Sequence, residues 1–123
     1  MKNYEIMSVA RAFSAVSGDL KLPAAIAWKR RVNHHKILDA CQIIEEALSE
    51  VRNKYSADEY SIQDGDDRKV KPEFMPEFAK AQADILNQDT DVDIKKIRIE
   101  DLGEIEISDK DMDTLAFMIE DGD

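Results

Sequence analysis

The chain has little of what builds cross-linked, looped or membrane-embedded proteins. A single cysteine, Cys41, in 123 residues excludes an intrachain disulfide. Four glycines and three prolines leave little material for a phosphate-cradling loop and few obligatory chain breaks. No apolar stretch approaches the ~20 residues of a membrane-spanning helix. The opening Met1-Lys2-Asn3-Tyr4-Glu5 also lacks the apolar run of a secretion signal. The expected setting is a reducing cytoplasm or a soluble assembly made there, with no membrane partner. Serine and cysteine nucleophile motifs and the helical His-Glu zinc motif are missing too, so neither catalysis nor a cofactor is expected.

What the chain does have is charge, unevenly placed. The formal net charge is −10, and counting Lys and Arg against Asp and Glu gives +3 over residues 1–55, −4 over 56–88 and −9 over 89–123. An acidic chain is repelled by nucleic acid and by anionic membrane surfaces, so direct nucleic-acid binding is not expected. A hydrophobic content of 43% is that of a folded chain, and the length suits one domain with a modest core.

The periodicity predicts an α+β fold dominated by helices. Asn3 suits the cap of a first helix whose Ile6, Val9, Ala10, Phe13 and Val16 share one face, with Gly18-Asp19 as its end. Pro23 suits the first turn of a second helix that nothing interrupts before Tyr55. Within it Ile37, Cys41, Ile44, Leu48, Val51 and Tyr55 form a heptad seam that calls for a partner helix. Residues 56–71 read as a hairpin or loop turning at Asp64-Gly65. A third helix follows over 72–88, with Phe74, Phe78, Ala81 and Ile85 as partners for the seam in an antiparallel helical hairpin. In the acidic segment 89–123, the alternation of Val92 and Ile94, Ile97 and Ile99, and Ile105 and Ile107 predicts a small β element. Ser108 with Asp111 would cap a final helix that turns Met112, Leu115, Ala116 and Ile119 inward.

The candidate binding site is the basic cluster of the long helix, Lys29-Arg30-Arg31-Val32-Asn33-His34-His35-Lys36, with Trp28 before it. Lys29, Asn33 and Lys36 fall on one stripe, flanked by the pairs Arg30 with His34 and Arg31 with His35. Arginine and lysine suit phosphate or carboxylate, Asn33 could read a base or ribose edge, and Trp28 could stack. His34 and His35 diverge by about 100° on a helix and Cys41 lies about 10 Å further on, so a metal site is not expected. His35 with Asp39 reads as a surface salt link. Asp64-Gly65-Asp66-Asp67 lacks the spaced ligands of a calcium loop. The competing reading is that the cluster pairs with the acidic C-terminal segment, in the same chain or in a neighbour. A symmetric dimer through the long helix would set two cationic patches around an anion.

Several local patterns carry a family resemblance. They are Lys21-Leu22-Pro23 leading into a helix with Trp28, Asn33 and Glu45, then Thr90-Asp91-Val92-Asp93-Ile94, Ile99-Glu100-Asp101-Leu102, Ile105-Glu106-Ile107-Ser108, Met112, and the closing Leu115-Ala116-Phe117-Met118-Ile119. In these the chain resembles a family of small proteins of tailed phages and prophages of Gram-positive bacteria, catalogued as the domain of unknown function numbered 1617. The resemblance implies a phage origin and a location in the host cytoplasm or the phage particle. Three roles follow as expectations. The first is a non-enzymatic homo-oligomer that counters host antiviral defence by sequestering an anionic nucleotide signal. The second is a structural or assembly component of the tail region, and the third an acidic mimic of DNA that blocks a host nucleic-acid-binding protein.

Overall fold

A computed structural model describes residues 1–14 and 21–120. The elements in order are α1 (Asn3–Ser14), α2 (Ala24–Tyr55), the hairpin strands β1 (Ser61–Asp64) and β2 (Asp67–Val70), α3 (Met75–Leu86) and α4 (Asp109–Leu115). Short 3-10 turns occupy Pro72–Phe74, Ile99–Leu102 and Ala116–Met118. The architecture is α+β and helix-dominated, as the periodicity predicts. The expected end of α1 at Gly18-Asp19 lies outside the described residues.

Helix α2, 32 residues long, is the spine on which α1 and α3 dock. Its seam is buried at Ile37, Ile44, Leu48 and Tyr55. The first cover over that seam is α1, which contributes Ile6, Ala10 and Phe13 to a shared core. The third helix covers the far end: Phe78 meets the Tyr55 ring edge-on at 5.2 Å, and Ile85 reaches the same core as Ile44. α2 and α3 are therefore antiparallel as expected, but the seam is divided between two helices. Amphipathic spacing marks a buried face without naming its partner, and α1 carries an equally good one.

The hairpin turns at Gly65, whose φ of 62° is left-handed, between Asp64 and Asp67 in antiparallel register. Arg68 ties β2 to the turn after α2 through Asp58 at 2.7 Å and to the Ser61 hydroxyl of β1 at 3.0 Å.

Two expectations need correction. Asn3 does not cap α1: its amide donates to the Ile85 carbonyl at 2.7 Å, and its side-chain oxygen accepts from the Thr90 hydroxyl at 2.6 Å. It links α1 to α3 and to the segment after it, while Glu5 accepts from the Lys2 N–H at 3.0 Å. Residues 89–107 form no strand. Apart from the 3-10 turn Ile99–Leu102 they have no regular structure, and among the described residues they pair with other backbone at the isolated bridges Lys2–Asp89 and Ile97–Ile119. Val92 and Ile94 turn toward the first core, and Ile97 joins Ile26, Leu102, Leu115 and Met118 in a second. The alternation is real, but the neighbour is the side of α2, which has no free backbone groups to form a ladder. The final helix is capped as expected, Ser108 accepting from the Asp111 N–H at 3.1 Å. Leu115 is buried in it, whereas Ala116 faces out and Met118 takes the inward place.

Candidate functional site

The basic cluster separates into three stripes, and each has different surroundings. The stripe Lys29, Asn33 and Lys36 faces the extended segment 93–96. Lys36 Nζ donates to the Asp93 carbonyl at 2.7 Å and lies 3.6 Å from its carboxylate. Lys29 Nζ donates to the Lys96 carbonyl at 3.4 Å. Between them Asn33, fully buried, donates to the Lys95 carbonyl at 2.9 Å and accepts from the Lys95 N–H at 2.8 Å. Its amide also approaches the Met118 sulfur at 3.7 Å. The expectation that Asn33 reads a ligand edge is thus corrected: its hydrogen-bonding capacity is spent inside the fold. In this stripe the cluster pairs with the acidic segment of its own chain, mostly through backbone carbonyls.

The second stripe, Arg30 and His34, packs on α1. The His34 ring stacks on Phe13 with centroids 4.6 Å apart and planes 20° from parallel, and the Arg30 guanidinium carbon lies 5.5 Å from the same ring. Phe13 in turn sets its edge against Phe117 at 5.2 Å. Burial, reinforced by the charges of Arg30 and His35, holds His34 below the ordinary imidazole range. Arg30 Nε is buried and has no hydrogen-bond partner among the described residues. This guanidinium acts through packing and a cation–π contact more than through hydrogen bonds.

Only the third stripe faces outward. Trp28 is 60% exposed, and Arg31 and His35 are exposed one and two turns further on. Among the described residues Arg31 has neither a hydrogen bond nor an ion pair. Lys95, held in place by Asn33, carries its ammonium to 5.9 Å from the Trp28 ring. The outward-facing surface is therefore Arg31 and His35, with Trp28 carrying the Lys95 ammonium near its ring, a smaller site than the eight-residue cluster suggests.

A second feature escaped the sequence pattern. A groove of about 560 Å³ opens where α2, α3 and residues 90–93 meet, lined by the apolar Ala40, Ala47, Ile85 and Val92, by the exposed Ile43, and by the charged Lys36, Asp39, Asp91 and Asp93. Its one signal in the sequence is Ile43, an apolar residue off the heptad seam.

Burial and the nearby Glu45 carboxylate push the Cys41 thiol up, away from the thiolate a nucleophile needs. Among the described residues no group of three His, Cys, Asp or Glu side chains is placed to hold a metal ion, and no helix is long and apolar enough to cross a membrane. No protein-family model, curated protein or solved structure matches the chain.

Proposed function

We propose that the protein is a non-enzymatic, homo-oligomeric binding protein that takes a phosphate-bearing ligand on the outward stripe of α2. The observation that carries this reading is Arg31: an exposed guanidinium, unpaired among the described residues, on a chain of net charge −10 that offers carboxylates on many sides. A fork of donors left open on the same side of α2 as Trp28, whose ring the Lys95 ammonium approaches to 5.9 Å, and as the His35 imidazole one turn on, suits a phosphate group. Trp28 flanks these groups and would report on an occupant by its fluorescence. Lys29, Asn33 and Lys36 hold the Lys95 segment in position, and Arg30 and His34 anchor the helix to α1.

The resemblance to small phage proteins supports a biological role for such a site: capture of a nucleotide signal of host antiviral defence, which needs tight binding and no turnover. The test is native mass spectrometry of the protein purified from phage-infected, defence-expressing cells. A phosphate-bearing adduct on the wild-type chain, missing from Arg31→Glu, is the expected result. A bare wild-type protein, or an adduct that survives Arg31→Glu, would sink this reading and turn attention to the tail-assembly and DNA-mimic roles.

A further inference from the structure

The two most exposed large apolar side chains among the described residues are Ile43 at 68% and Trp28 at 60%, and both stand on α2. Their placement is symmetric: Trp28 and Ile43 are equidistant from the His35–Lys36 peptide, and Arg31 and Asp39 lie four residues either side of His35. Trp28, His35 and Asp39 point in nearly one direction at 100° per residue, with Arg31 and Ile43 on the flanks of that face. α1 and the 93–97 segment cover other sides of the helix and leave this one open. A two-fold axis perpendicular to α2 near His35 therefore sets each apolar residue against the other and each cation against an anion.

We propose that this face is the docking surface for a second copy of the chain, in an antiparallel α2–α2 pair. The Trp28 indole of each copy seats at Ile43, at the mouth of the partner's groove, and Arg31 of each reaches Asp39 across the axis. Charge complementarity selects this occupant: the basic stripe and the acid-rimmed apolar groove are on the same surface, one on either side of the axis. An isologous contact also uses each twice. The heptad seam is not the contact, since Ile37, Ile44 and Leu48 are already buried within one chain. The pairing is independent of any ligand.

The single tryptophan makes the test direct. The full chain, dialysed into nucleotide-free buffer, is followed by sedimentation velocity and by Trp28 emission over a concentration series. A dimer with a concentration-dependent blue shift is expected. Ile43→Asp should give a monomer with red emission throughout and unchanged far-ultraviolet circular dichroism, weakening association at least about tenfold. Arg31→Asp and Asp39→Arg should each weaken it, and together restore it; this exchange decides the matter if Ile43→Asp folds poorly. A wild-type monomer with constant emission, a dimer that survives Ile43→Asp, or a double exchange no better than either single change would overturn the proposal. Loss of anion binding with the dimer intact would sink the ligand reading alone.

Discussion

The side-chain amide of Asn33 holds both backbone polar groups of Lys95, donating to its carbonyl at 2.9 Å and accepting from its N–H at 2.8 Å, across 62 residues of sequence. The contact imitates one rung of a β-ladder with a side chain in place of a strand. It gives the extended segment a buried polar hold on α2, while Lys29 and Lys36 grip the same segment from outside.

This makes a sharp prediction about the seam. Asn33 lies on the same angular track as Ile26 and Ile37, so Asn33→Leu would complete the apolar stripe and raise stability if the asparagine were only an interruption. Because leucine leaves the Lys95 N–H and carbonyl without their partner, we expect the opposite. Asn33→Leu and Asn33→Ala should each cost roughly 2 to 4 kcal/mol, read as a lower urea midpoint. An unchanged or higher midpoint for the leucine variant would refute the clasp.

Asn33 also marks where the sequence stops being informative. The polar residue in the seam is visible in the sequence, but its partner is remote and binds through backbone, which no residue identity records. Elements defined by local chemistry were legible: the turn at Asp64-Gly65, the Ser108 cap, and the apolar spacing of α1, α2 and α3. The period-two run after Thr90 was legible as an extended chain with one buried side, yet whether a strand or a helix covers that side is a tertiary fact. The three stripes of the basic cluster were correct as geometry. What each stripe touches was not encoded in their spacing, so the candidate site contracts to the stripe left facing water.

His34 should make stability pH-dependent. Its folded-state pKa lies below the ordinary value because burial against Phe13, then Arg30 and His35, disfavours the charged ring. The unfolded chain therefore binds the proton more readily than the folded one. The contribution of His34 is fully present above the unfolded value of about 6.5 and is lost as pH falls toward the lower folded value. Thermal melts between pH 8 and pH 5 should show a falling Tm, and His34→Gln should flatten that part of the profile. A profile unaffected by the substitution would show that other groups set the slope.

Tyr55 should act at the other end of the pH scale. Its hydroxyl donates to Glu77 Oε1 at 2.7 Å, and that bond, with burial and the carboxylate charge, pushes the phenol up to about 12. At neutral pH Tyr55→Phe should lower the urea midpoint slightly, since it removes the bond to Glu77. Above the ordinary phenol value of about 10 the unfolded chain ionises first, so wild-type stability should fall as pH rises toward the folded value. Glu77→Gln should return the Tyr55 titration toward the ordinary range in an ultraviolet difference titration. A titration unchanged by Glu77→Gln would remove the carboxylate from the account.

Arg30 and Arg31 are adjacent in sequence and opposite in predicted behaviour. The Arg30 guanidinium lies over Phe13 and its stem is part of the contact between α1 and α2, so Arg30→Ala should lower stability by about 1 kcal/mol. It should leave affinity for a phosphate-bearing ligand nearly unchanged, since the ligand stripe lies on another face. Arg31 is exposed and, within one chain and among the described residues, makes no hydrogen bond or ion pair, so Arg31→Ala should leave the Tm of the dilute, monomeric chain within error while lowering that affinity at least about tenfold. Alanine is the informative change at both positions, because glutamate at Arg30 would also place a charge against the Phe13 ring. Melting curves paired with titrations of Trp28 fluorescence against nucleotide measure both quantities on the same samples. The opposite pattern, or parallel losses at both positions, would mean that the cluster binds as one surface and that its division into stripes has no functional consequence.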